Sequence, residues 1–301
     1  MHPDEVPTSV DLARHLIATQ FPDWADLPME RVESGGTVNA IYRLGDQRSV
    51  RLPLQRSGAL QLEKERDWLP RIGPQLPISA PIPIAHGDPT DQFPFNWAIY
   101  PWLPGAPIEP GALHGSSDRA TDAARDLARF IRALQAIDPT GGPGPGPHNF
   151  GRGVPIAARD QETRAAIAAS EGLADTAAVT TAWTEDSAAP THRGSPVWVH
   201  GDLHLANLLA ADGRLSAVID WGGLGVGDPA VDLLPAWHLF SGESRDTFRT
   251  ALAVDDATWT RGRAWALSVA IIALPYFIES NPTMVRFAHT MLDAVLADHA
   301  S

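Results

Sequence analysis

The chain is 301 residues long, enough for two lobes with a core each, and it has no cysteine. Disulfides, cysteine nucleophiles and thiolate metal sites are therefore excluded. Acidic side chains outnumber basic ones by 36 to 23, with the larger excess beyond Gly105, which argues against nucleic-acid binding because that needs a basic footprint.

The first five residues, Met1-His2-Pro3-Asp4-Glu5, are acidic and apolar-poor, unlike a signal peptide. The first informative segment is Ser34-Gly35-Gly36-Thr37-Val38-Asn39-Ala40, a turn that leads into a strand over 41–44. Its glycines let backbone N–H groups approach an anion, and Thr37 or Asn39 adds a polar side chain. Alone this is weak, because Gly-Gly is most often a plain turn. A turn containing Asp46 follows, then a strand over 49–53 with Arg51 at its centre. A helix is predicted over 57–69, with Ser57 as N-cap and Pro70 just past its end. It carries Glu63, Glu65 and Lys64, the only lysine in the chain.

Residues 76–84 hold too many prolines for a central strand and read as an extended edge leading to a strand over 97–100. Pro101-Trp102-Leu103-Pro104-Gly105 ends that strand, either as a connection between lobes or as a turn packing Trp102 into the core. Beyond it, apolar residues at 127, 130, 131 and 134 mark a helix over 125–135. The alternating Gly and Pro of 141–147 can only be loop, and two Ala-rich helices are expected between 156 and 183.

The stretch 200–220 carries the chemistry. It reads His200-Gly201-Asp202-Leu203-His204-Leu205-Ala206-Asn207, then a hairpin turning at Asp212-Gly213, then Val218-Ile219-Asp220-Trp221-Gly222. H-x-D, four residues, Asn, a hairpin and D-x-G is the core layout of a kinase-like phosphotransferase. In that layout Asp202 accepts the proton of an attacking hydroxyl, while Asn207 and Asp220 hold Mg²⁺. The alternation of His200, Asp202 and His204 offers a rival: with His192 or Asp220 they form a metallo-hydrolase ligand set. That rival leaves Asn207 and the D-W-G without a role.

Next, Asp228 fits an N-cap with Pro229 at the first helical position, and Asp232, one turn on, is placed to bind backbone N–H groups or an Arg. The last helices, about 256–278 and 283–298, carry Trp259, Trp265, Tyr276, Phe277, Phe287 and Met291, mostly as core. A few of these, with Glu279 and Asp293, could line an acceptor site. The apolar run 264–278 is broken by Ser268 and Pro275, so it reads as a buried helix and not a membrane span.

His200–Asn207, the Val218-Ile219-Asp220-Trp221 run and Gly227-Asp228-Pro229-Ala230-Val231-Asp232-Leu233 together resemble the aminoglycoside phosphotransferase family, which includes macrolide kinases. The resemblance runs from about Gly35 into the C-terminal helices. It implies an α+β, protein-kinase-like fold: a nucleotide-binding lobe with an antiparallel sheet (1–100), a hinge (101–105) and a larger helical lobe (106–301). It also implies transfer of the γ-phosphate of ATP or GTP, with Mg²⁺, to a hydroxyl of a small molecule in the cytoplasm.

By match, Asp202 is the base, Asn207 and Asp220 are magnesium ligands, and His200 supports the loop. Arg51 stands where such enzymes place a phosphate-binding Lys, as in family members with V-L-R-L-P. Glu65 in Glu65-Arg66-Asp67-Trp68-Leu69 is its partner, with Glu63 as fallback. Gly35, Gly36, Thr37 and Asn39 would face the triphosphate, and hinge backbone at Tyr100, Trp102 and Leu103 the base. Leu205 replaces the family's usual Pro. The acceptor, an aminoglycoside, a macrolide or another alcohol, would be chosen around 141–190, and antibiotic resistance is one role this allows. Loss of catalysis, leaving a nucleotide-binding module, is the second rival; Arg51 is its only support. The oligomeric state is not legible.

Overall fold

The computed structural model describes residues 5–33, 38–115 and 117–300. Helix α1 (Val10–Gln20) is capped by the Ser9 side chain, which accepts from the Leu12 N–H, and buries Ala13, Leu16 and Ile17 on one face. It packs beneath an antiparallel sheet of β1 (Met29–Val32), β2 (Asn39–Leu44), β3 (Arg48–Pro53), β4 (Ala85–Gly87) and β5 (Trp97–Pro101). Their order is β1-β2-β3-β5-β4. Alternation sends Ala40, Tyr42 and Leu44 of β2, and Val50 and Leu52 of β3, into this small core.

Helix α2 (Arg56–Ile72) runs from β3 across to the second lobe. It departs from expectation at both ends: Gln55, not Ser57, is the N-cap, with no side-chain bond, and Pro70 lies inside the helix. Proline in a last turn forfeits one backbone hydrogen bond. Burial of Leu69 and Ile72 in the larger core offsets that loss.

The second lobe begins at β6 (Ala106–Pro107) and α3 (Asp118–Ala136), whose buried stripe includes Leu127, Phe130, Ile131 and Leu134. Helices α4 (Asp160–Ala169) and α5 (Thr176–Asp186) follow, then β7 (Val197–Val199), the hairpin β8 (Leu208–Ala211) and β9 (Arg214–Val218), and β10 (Gly225–Gly227). Asp212 and Gly213 between β8 and β9 both have positive φ, 51° and 78°, the geometry a two-residue hairpin turn needs. Sheets β6-β8-β9 and β7-β10 are small. The chain closes with α6 (Pro235–His238), α7 (Glu243–Leu252), α8 (Asp256–Phe277) and α9 (Pro282–His299). Helix α8 comes so close to residues 229–233 that a Cβ on Gly262 would lie 2.7 Å from the Cβ of Leu233.

Residues 76–84 do not lead along the sheet as a strand. Ser79 instead pairs with the hairpin, its N–H donating to the Ser216 carbonyl at 3.2 Å and its carbonyl accepting from the Val218 N–H at 2.9 Å. The prolines there strip the segment of N–H donors, and the edge position falls to β4. No helix among the described residues is long and apolar enough to cross a membrane.

Candidate active site

The loop after β7 is anchored from below. The backbone N–H groups of His200 and Gly201 donate to Asp232 Oδ2 and Oδ1 at 2.8 and 2.7 Å. Asp228 caps the turn that carries Asp232 by accepting from the Ala230 N–H, and buried Arg261 grips Asp228 at 2.8 Å. Both expectations for these aspartates hold, with a 3₁₀ turn in place of an α-helix. Burial pushes the Asp232 carboxyl up to about 7 against the pull of the two N–H groups. His200 is fully buried, its ring centroid 4.8 Å from that of Trp221 in an edge-on contact, and its Nδ1 accepts from the Asp202 N–H at 3.3 Å. Burial lowers it to about 4, so it is neutral at physiological pH and supports the loop without exchanging protons.

Asp202 sits above this anchor. Burial favours its neutral form, but His204, Arg152 and His200 outweigh it and hold the carboxyl well below the ordinary range. Arg152 Nη2 lies 3.4 Å from Oδ1, and His204 Nε2 lies 3.4 Å from Oδ2. The Asn207 amide nitrogen donates to the Asp202 carbonyl at 2.9 Å and approaches Oδ2 at 3.2 Å. With its nitrogen so engaged, Asn207 offers its oxygen as a ligand atom. The Ile219 N–H donates to the Asn207 carbonyl at 2.9 Å, which brings Asp220 beside Asn207 across the hairpin. Asp220 is left-handed (φ 59°, ψ 77°), a conformation that costs a side chain about 1–3 kcal/mol, and it caps the following turn by accepting from the Gly222 N–H at 3.4 Å.

The facing wall comes from the first lobe. Arg51 Nη1 lies 3.0 Å from both oxygens of Glu65, and the Tyr100 hydroxyl donates to Glu65 Oε2 at 2.6 Å. Burial would lower the Arg51 guanidinium, but Glu65, Tyr100 and Asp220 raise it above its ordinary value. Asp220 is thus near enough to act on Arg51, so the two lobes share one charged site. Glu65, not Glu63, is the partner; Glu63 accepts from Asn96 instead.

Other expected residues fare differently. Gly35, Gly36 and Thr37 lie outside the described residues. Asn39 starts β2, its Oδ1 buried without a hydrogen-bond partner among the described residues. At the hinge, the Trp102 N–H already donates to the Gln47 carbonyl at 2.8 Å, and the Tyr100 hydroxyl is committed to Glu65. The Trp102 ring is not packed into the core: it is 36% exposed under the Arg43 guanidinium. Strand alternation turns the Pro101 carbonyl away from β3.

Two residues escaped the sequence reading. Arg152 reaches Asp202 from a loop that Asn149 fixes, accepting from the Gly146 N–H and donating to the Arg152 carbonyl. Lys64 Nζ donates to the carbonyls of Gly222 and His148. Neither carries a local signal, because each meets a partner far away in sequence.

Asn207 and Asp220 offer two oxygen ligands, the number a magnesium site uses when phosphates and waters supply the rest. The metallo-hydrolase set does not form. Among the described residues no group of three or more His, Cys, Asp or Glu could hold a metal ion. His200 is buried against Trp221, and His192 bonds the Ser195 carbonyl at the surface.

Residues 30–265 match the phosphotransferase enzyme family. Among solved structures, the chain resembles aminoglycoside 2'-phosphotransferase-IIIa in its GDP complex, at 20% identity and a TM-score of 0.71 over 97% of this chain and 99% of that one. It is similarly like an APH(2") enzyme solved with GDP and kanamycin (20%, 0.71, over 95% and 98%). Macrolide 2'-phosphotransferase MphH from Brachybacterium faecium, an apoenzyme, gives 22% and 0.62 over 95% and 98%. At these identities the likeness establishes the two-lobe fold. No curated protein sequence matches the chain.

Proposed function

The chain belongs to the phosphotransferase enzyme family, and from that premise we propose a magnesium-dependent small-molecule kinase in which Asp202, Asn207, Asp220 and Arg51 carry the transfer. The observation that bears most weight is the convergence of three parts. An ionised Asp202 bonded to Asn207, Asp220 beside Asn207 across the hairpin, and the Arg51–Glu65 pair, whose guanidinium feels Asp220 from the other lobe, make up one charged site.

In this reading Arg51 binds donor phosphate while Glu65 and Tyr100 hold its guanidinium in place. Asn207 and Asp220 would hold Mg²⁺, which when bound neutralises charge on the phosphate oxygens. Asp202 takes the hydroxyl proton of the acceptor as the oxygen attacks the γ-phosphorus and the β–γ bridging oxygen leaves with the nucleoside diphosphate; its depressed pKa makes it a weak base, so its main contribution is orientation. Neutral His200 and Asp232 keep the loop rigid, and rigidity is what electrostatic catalysis requires. Leu103 and Pro101 present the hinge groups open to a purine. The intact Asp202, Asn207 and Asp220 speak against a catalytically silent module.

The acceptor side lies where Phe287 of α9 meets His204 at 5.9 Å and His238 at 5.1 Å. Kanamycin appears in the name of one structural relative and a macrolide in another, so aminoglycosides and macrolides head the acceptor screen. Use of a nucleoside triphosphate fits the cytoplasm. The test is calorimetric titration of metal-stripped protein with ATP and with GTP, with and without Mg²⁺. Saturable, magnesium-dependent binding is expected, and an acceptor screen against Asp202→Asn as blank then follows. Folded protein that binds neither nucleotide would overturn the assignment of Arg51, Asn207 and Asp220.

A further inference from the structure

Lys64 takes no part in the chemistry above, yet its charge is spent inside the site. It is the only lysine of the chain and is 7% exposed. On α2 it adjoins Glu65, and the two side chains diverge. Glu65 goes to Arg51 on β3, while Lys64 crosses to the other lobe, where Nζ donates to the Gly222 carbonyl at 2.7 Å and the His148 carbonyl at 3.3 Å.

Both carbonyls belong to segments that hold acidic groups of the site. Gly222 lies two residues past Asp220, and its own N–H donates to Asp220 Oδ1. His148 opens the loop that brings Arg152 to Asp202. Gln61, one turn earlier on α2, presses on the same place: a Cβ on Gly222 would lie 3.0 Å from its carboxamide. A side chain at Gly222 would have to push that carboxamide aside by a few tenths of an ångström.

Burying an ammonium is expensive, and carbonyl dipoles repay it less well than a carboxylate would. Burial lowers Lys64 to about 8, with Glu65 and Asp220 pulling the other way, so the group stays largely charged at neutral pH. An apolar side chain would pack this helix without that cost. The cation is retained for what its hydrogen bonds hold.

We propose that Lys64 is a positioning residue that ties helix α2 to the Asp220 turn, so that the element gripping the phosphate-binding Arg51 also sets the magnesium ligand. The inference rests on the reading of Asp220 as that ligand. Loss of the tie frees the Gly222 carbonyl, and the Gly222 N–H on the other side of the same Cα, which caps Asp220 in its left-handed conformation, loses that restraint.

The experiment compares wild type, Lys64→Met and Lys64→Arg as full chains, titrating ATP and GTP calorimetrically at stepped Mg²⁺ concentrations. Lys64→Met is expected to need about tenfold more Mg²⁺ for half-maximal nucleotide binding, the low end of what losing a charge-assisted hydrogen bond produces. Its metal-free nucleotide affinity is expected to stay within about twofold, because Arg51 and Glu65 are untouched. Lys64→Arg, keeping a cation and donors, is expected to recover part of the loss. A folded Lys64→Met with the wild-type Mg²⁺ requirement overturns the proposal, as does a lower melting temperature with that requirement unchanged. If Lys64→Met does not fold, Lys64→Gln and Lys64→Arg are compared instead, and equal, wild-type requirements in both overturn it. Absence of magnesium-dependent binding in the wild type overturns the reading of Asn207 and Asp220 as metal ligands, and the proposal with it.

Discussion

The guanidinium of Arg51 lies 4.4 Å above the ring of Tyr100, and both side chains bond to Glu65. A strand cation, a helix carboxylate and a hinge-strand phenol thereby form one unit. The planar guanidinium covers a ring while its edge grips the carboxylate, a combination a Lys could not make, and it suits the phosphate-binding role proposed for Arg51.

Arg51→Ala leaves Glu65, 1% exposed, as a buried charge without its cation. The expected cost is about 3–5 kcal/mol in urea unfolding, together with weaker nucleotide binding. Arg51→Lys restores the charge but not the fork or the stack, and is expected to fall between. A loss below about 1 kcal/mol in Arg51→Ala would show that the pair contributes little.

Asp202→Asn and Asp220→Asn should separate chemistry from metal binding. The first is expected to cut turnover by about 10²–10⁴ while magnesium-dependent nucleotide binding persists. The second should fold normally, since Asn tolerates the left-handed backbone at φ 59°, yet lose the magnesium dependence. Full turnover in Asp202→Asn would remove it as the base.

Arg152→Met tests the cation beside the base. Arg152 is among the groups that hold the Asp202 carboxyl low. Its removal should raise that carboxyl and move the acidic limb of the turnover profile to higher pH, with nucleotide affinity little changed. An unmoved limb would mean that Arg152 only packs against Gly201.

Stability should fall on acidification. Burial lowers His200 to about 4 and His238 to about 3, so both are neutral in the fold and protonate near 6.5 when unfolded. Their contribution is complete above about 6.5 and is lost as pH drops towards 4, a few kcal/mol altogether. Asp232, raised to about 7, works in the opposite direction between about 7 and 4, because its ionised form is disfavoured in the fold. Two imidazoles outweigh one carboxyl. Melting temperatures between pH 7.5 and 4.5 should decline, and His238→Gln should flatten the slope; a midpoint that rises with acid would contradict the assignment.

The catalytic stretch was legible because its groups sit within one short run, where hairpin geometry alone carries Asp220 back to Asn207. The Arg51–Glu65 pair was expected from the family resemblance, with Leu69 on the Glu65 face of the helix favouring it over Glu63, and it forms. Helix α7 was missed because it buries only Ser244, Phe248 and Leu252, and α1 because its stripe is Ala13, Leu16 and Ile17. Pro70 misled the reading of α2, since tertiary burial outweighed the local rule. Lys64 and Arg152 left no trace because tertiary contacts, not spacing, define them: Lys64 meets Gly222 158 residues away, and Arg152 meets Asp202 50 away.

The hinge bond between Trp102 and Gln47 has a bearing on which purine the enzyme accepts. With that N–H taken and none on Pro101, the proposed hinge mode leaves a purine one acceptor, the Pro101 carbonyl, followed by one donor, the Leu103 N–H. Adenine presents an amino donor beside a ring acceptor and meets the pair as it stands. Guanine presents the reverse order, O6 first, and must slide along the strand to use the Leu103 carbonyl as well. In that mode, discrimination between the two bases becomes a question of a small displacement along one stretch of backbone.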